Sequence, residues 1–123
     1  YFSLCSEGMS LVINTLPENL IREARDLRHI GIAEFAWEYD FILDVMRILN
    51  ENDYVILGGD VYKIDEESEI ISSTGDNWYF NKSHSEHDVI EGYKEAKEYV
   101  SNYEHRNGNC FCYSIVCEKH SRV

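Results

Sequence analysis

Tyr54-Val-Ile-Leu-Gly-Gly-Asp-Val-Tyr-Lys-Ile-Asp-Glu-Glu-Ser-Glu-Ile-Ile-Ser-Ser-Thr-Gly-Asp-Asn-Trp-Tyr-Phe80 is the stretch on which the fold turns. Short runs of β-branched and aromatic residues, at Tyr54–Leu57, Asp60–Ile64, Ile70-Ile71 and Asn77–Phe80, are punctuated by Gly, Asp and Ser. That pattern predicts consecutive strands forming the middle of a sheet. Gly58-Gly59 sits between two strand-like halves and reads as a bulge or bend rather than a ligand-cradling loop. Asp65-Glu66-Glu67-Ser68 fits a four-residue hairpin turn, and Thr74-Gly75-Asp76 reads as a second turn. Trp78, Tyr79 and Phe80 must alternate faces in a strand. Either Trp78 and Phe80 are core and Tyr79 is presented outward, or the reverse.

Working outward, the sequence predicts three helices. The first covers 15–30: Thr15 and Glu18 have capping-box spacing, Pro17 falls in the first turn, and Leu20, Ile21, Ala24 and Leu27 make a stripe that Gly31 ends. Ile32–Trp37 reads as a short apolar connector of about one helical turn. The second helix covers about Asp40–Asn50, with Ile42, Val45, Met46 and Leu49 inward and Phe41 and Ile48 widening the stripe. The third, about 86–103, opens with Ser85 as an N-cap and Asp88 as the acid three residues on, and repeats Val89, Tyr93, Ala96, Val100 and Tyr103. A last strand, Cys110–Cys117, has a bulky face (Phe111, Tyr113, Ile115, Cys117) that should meet the helices. The expected fold is one α+β domain over residues 1–123, with about three helices on one face of a mainly antiparallel sheet of four to five strands. Residues 1–8 lack the pattern of a signal peptide and read as a tag or an upstream extension.

Composition narrows the partners. The chain has 123 residues, 44% hydrophobic, with a net charge of −12. Residues 38–76 hold eleven acids against Arg47 and Lys63, which is −9 of that −12. Such a surface repels phosphate and anionic lipid, so neither nucleic acid nor a membrane is an expected partner. A basic protein surface is. No apolar run approaches the roughly 20 residues of a bilayer span. Four cysteines (Cys5, Cys110, Cys112, Cys117) do not make a disulfide scaffold, and a reduced, cytoplasmic setting is expected.

The sequence carries no recognisable catalytic or metal-binding motif. Cys110 and Cys112 share a strand face while Cys117 points the other way, so a zinc site with His120 would not converge. His84 and His87 are three apart at a helix start, not four apart on one face, and read as a surface pair. No metal, cofactor or catalytic residue is expected. The aromatics are more suggestive, because Tyr and Trp flanked by carboxylates are the residue types of protein-interface anchors.

The series Leu16-Pro17-Glu18-Asn19-Leu20-Ile21, Gly31-Ile32-Ala33-Glu34 with Ala36-Trp37, Ile56-Leu57-Gly58-Gly59-Asp60-Val61-Tyr62, Asp76-Asn77-Trp78-Tyr79 and Tyr113-Ser114-Ile115-Val116 resembles the immunity protein 40 family of bacterial polymorphic-toxin systems. The resemblance runs from about Leu16 to Cys117 and is most specific at the GGDVY and DNWY pieces. It implies a non-enzymatic α+β protein that binds and neutralises the C-terminal domain of a cognate toxin, protecting the producing cell and its kin. Asp60, Tyr62, Asp76, Trp78 and Tyr79 are the candidate toxin-binding residues within those motifs. Glu66, Glu67 and Glu69 join them on charge alone. The alternative is a small-ligand or regulatory binding module with an aromatic pocket near Trp78 and Tyr79.

Overall fold

The computed structural model describes residues 2–3, 15–32 and 34–120. The rest of the 1–8 segment, including Cys5, lies outside the described residues. Strands are β1 (Phe2–Ser3), β2 (Arg25–Asp26), β3 (Phe35–Glu38), β4 (Tyr54–Ile64), β5 (Ile71–Tyr79), β6 (Phe111–Ser114) and β7 (Val116–Lys119). Helices are α1 (Glu18–Arg22), α2 (Tyr39–Glu51) and α3 (Asp88–Asn107). Six strands lie in the order β1-β7-β4-β6-β3-β2, and β5 pairs with β4 beyond that path. Every pairing is antiparallel. The sheet is thus wider than the four to five strands expected, because two-residue pairings at its margins carry no run long enough to read.

β4 is the centre. One edge pairs with β5, and the other is shared end to end by β7, against Tyr54–Gly58, and β6, against Val61–Lys63. The expected last strand is therefore two, parted at Ile115, although its bulky face does meet the helices: Phe111, Tyr113, Ile115 and Cys117 all lie in the main core. Ile56 and Val61 lie in that same core although they are an odd number of residues apart. A strand alternates faces at every residue, so its phase must slip once between them. The register shift beside Gly58 is that slip, and the glycine pair is a bulge.

β5 is one strand where the sequence suggested two. Asp60 pairs with Asn77 and Tyr62 with Ser73, so β5 holds two extra residues there. Thr74-Gly75-Asp76 is a bulge inside the strand rather than a turn, with Gly75 at φ 83°. The Thr74 hydroxyl donates to the Val61 carbonyl at 2.8 Å and anchors the bulge to β4.

Helices α2 and α3 follow their apolar stripes. Ile42, Val45, Met46, Ile48 and Leu49 of α2 are buried, as are Val89, Ala96, Val100 and Tyr103 of α3. Both pack on the face carrying Trp37, Ile56, Val61 and Tyr113. Helix α3 starts two residues later than expected and runs on to Asn107. Its Ser85 is not the cap; instead the Asp88 carboxylate accepts from the Ser83 N–H at 2.9 Å and the Ser85 N–H at 3.3 Å.

The first helix is the largest departure. α1 has five residues, and Arg25–Asp26 turn into a strand before a 3-10 turn at Arg28–Ile30 that ends at Gly31, φ 83°. The apolar stripe had counted residues bound for two different cores. Leu20 enters the main core, where the Trp37 indole N–H donates to its carbonyl at 2.7 Å. Leu27 crosses to the opposite face of the sheet and packs with Ala36, Tyr62, Ile64, Ile71 and Cys112. The connector expected at Ile32–Trp37 is accordingly strand β3, paired with β6.

Candidate functional site

The face of the sheet away from the helices is only partly covered. Leu27, Ile30 and Ile32 roof the far half of the β4–β5 hairpin, over Tyr62, Ile64 and Ile71. The near half, at Gly58-Gly59, is left open. There a groove of about 560 Å³ is bordered by Leu57–Asp60, Asn77–Lys82, His84 and Val116.

Cross-strand pairing fixes what faces it. Gly58 pairs with Tyr79 and Asp60 with Asn77, so these four share a face, while Gly59 and Trp78 share the other. Tyr79 is 74% exposed, whereas Trp78 is 9% exposed and stacks on Tyr99 of α3 with ring centroids 5.0 Å apart. Of the two alternations the sequence left open, Trp78 and Phe80 are the buried pair. The Trp78 and Tyr79 rings thus leave opposite faces of β5 and do not form an aromatic pair.

Asp60 sits at the break between β6 and β7. Its N–H has no strand partner there and donates instead to the Ser114 hydroxyl at 3.1 Å. Its carboxylate accepts no hydrogen bond and joins no ion pair among the described residues. Beside it, under the roofing segment, the Tyr62 hydroxyl donates to Glu34 Oε2 at 3.2 Å. Burial pushes the Glu34 carboxyl above its ordinary range against the pull of that bond, and the Asp60 charge adds to the rise. Burial, with the Glu34 and Asp60 charges, likewise raises the Tyr62 phenol. The Lys82 ammonium is taken up by Glu118.

The remaining candidates lie elsewhere. Tyr62 is 4% exposed. Asp76 faces the helices and accepts from the Tyr103 hydroxyl at 2.8 Å. Glu66, Glu67 and Glu69 are exposed at the hairpin tip, where Glu66 and Glu69 border a second groove of about 280 Å³ with Arg25, Glu38 and Asp65. Asp60 and Tyr79 are therefore together, and the acidic tip is a separate patch beyond the roof. Glu34, Asn77 and Ser114 belong to the motifs that resemble the family but, like Lys82, were not among the sequence's binding candidates. Ser114 could have been, from its place on the small face of the last strand; Glu34 could not, because only the unexpected turn at 25–34 brings it to the sheet.

Cys112 and Cys117 lie in opposite cores, and burial pushes each thiol up to about 12. Among the described residues no group of three or more His, Cys, Asp or Glu could hold a metal ion. No helix among them is long and apolar enough to cross a membrane.

An acidic α+β domain with an exposed tyrosine beside a carboxylate on an open sheet face has the residue types of an interaction surface. The sequence profile of the immunity protein 40 family matches residues 26–117, most of the 123-residue chain. The chain belongs to that family. No curated protein and no solved structure matches it.

Proposed function

We propose that this protein binds the C-terminal domain of a cognate bacterial toxin in a tight one-to-one complex and neutralises it by covering its working surface. The observation that carries this reading is the open groove at Gly58–Asp60, where Tyr79 stands exposed beside a carboxylate that has no partner among the described residues, in a chain of an immunity family. Membership of the family supports the biological role. The net charge of −12, concentrated between residues 38 and 76, supports a basic toxin surface as the counterpart. A nuclease domain has such a surface at its substrate cleft, and occlusion there needs no chemistry from this chain.

Asp60 and Tyr79 form the centre of the proposed contact, and Glu66, Glu67 and Glu69 steer the approach from the hairpin tip. Tyr62, Asp76 and Trp78 hold this surface in shape from beneath. The test is growth rescue. Cells expressing the toxin domain encoded beside this protein's gene should survive when the protein is co-expressed; unrescued growth, with both proteins folded and present, would exclude the pair as cognate.

A further inference from the structure

We infer that the groove at Gly58–Asp60 takes an arginine side chain of the toxin domain, its guanidinium pairing with the Asp60 carboxylate and its plane lying against the Tyr79 ring. This rests on the immunity reading and names the chemistry of the contact.

Three observations point to that occupant. The first is the floor. Gly58 lies so close to β5 that a Cβ built on it would meet the Trp78 carbonyl and lie 2.9 Å from the Tyr79 Cα, so position 58 carries no side chain and the backbone stays bare at the base of the groove. The second is the spacing. Tyr79 is the diagonal neighbour of Asp60 across the β4–β5 ladder, which sets the two residues about 7–8 Å apart with their Cβ atoms somewhat closer, within reach of one flat group lying between them. The third is charge. Among the described residues Asp60 is the one carboxylate bordering the groove, it is half-buried, and none of them neutralises it. The groove's lysine, Lys82, is already engaged by Glu118.

A half-buried carboxylate without a partner favours an incoming cation, and the exposed aromatic face selects which one. Guanidinium is planar and weakly hydrated, stacks on a phenol ring and meets a carboxylate through two parallel N–H donors. An ammonium offers a point charge and keeps its water. An anion is disfavoured on this surface altogether.

The experiment is calorimetric titration of the full chain with the C-terminal domain of the toxin encoded immediately upstream, inactivated for expression. Asp60→Asn and Tyr79→Ala should each weaken binding at least tenfold. Among toxin variants, one Arg→Ala should cost a similar factor in the wild-type protein and almost nothing against Asp60→Asn, and Arg→Lys at that position should not restore it. Tyr79 is exposed, so its variant reads the contact even if the Asp60 variant loses its fold. Tight wild-type binding with both variants within twofold would overturn the arginine groove and leave the immunity reading intact. No wild-type binding to a folded toxin domain would overturn both.

Discussion

The Trp78 indole occupies the space that a side chain at position 59 would need: a Cβ built on Gly59 would lie 2.5 Å from the indole Cη2. The same Cβ would run into the Ser114 carbonyl, which is backbone and cannot turn aside. Bulge, indole and the β6–β7 break are therefore one packing unit, and they hold Asp60 where it is. Gly59→Ala should destabilise the fold by about 1–3 kcal/mol through overpacking. Urea denaturation checks this as a lower midpoint with an unchanged slope.

Asp88 makes a second prediction, on the loop that brings His84 to the groove. It is 3% exposed. Burial alone would raise its carboxyl, but hydrogen bonds from Ser83, Ser85 and His84 outweigh that and hold it below its ordinary 3.8. Asp88→Ala leaves those donors unpaired and should cost about 1–3 kcal/mol at neutral pH. Because the folded pKa is depressed, the stabilisation is present above pH 3.8 and lost as pH falls through the folded value. The acid limb of the stability curve should be shallower in the variant when followed by thermal melts.

Glu104, near the other end of α3, carries the opposite sign. Burial raises its carboxyl above the ordinary 4.5, although the Tyr113 hydroxyl donates to it at 2.6 Å. At neutral pH the folded state holds a charge that burial disfavours. As pH falls through the raised folded pKa toward 4.5, the folded protein takes up its proton before the unfolded chain does, and the penalty fades. Glu104→Gln keeps an acceptor for Tyr113, so it should be at least as stable as wild type at pH 7. The gap should close on mild acidification, with Tm measured at each pH.

The hairpin tip gives a kinetic prediction. Glu66, Glu67 and Glu69 lie beyond the roofed half of the sheet, where exposed charges act on encounter more than on the docked state. Changing all three to Gln should slow association about tenfold at low salt and leave dissociation nearly unchanged. Wild-type association should slow as salt rises; stopped-flow rates indifferent to salt would remove the steering role.

What could be read from the residues depended on whether the pattern was local. α2 and α3 have single apolar stripes turned to the sheet, only Val89 at the start of α3 packing apart from the main core, and both emerged within a few residues. The segment from Thr15 to Ile30 failed because Leu20 and Leu27 obey helical spacing while serving opposite sides of the sheet, a fact set by partners outside the segment, from Ala36 and Trp37 to Cys112 and Tyr113. The site divided in the same way. Alternation forced Trp78 and Tyr79 apart from the start, but which one was buried depended on Tyr99 of α3. Tyr62 and Tyr79 looked alike in sequence, and only the roof over Tyr62 distinguishes them.

The most direct test of the central claim is the stoichiometry and activity of a purified mixture. This protein and the toxin domain encoded beside it should co-elute as a one-to-one complex by light scattering, with the toxin's activity lost in proportion to the complex formed. Two folded proteins that elute separately, or a complex in which the toxin stays fully active, would contradict the account.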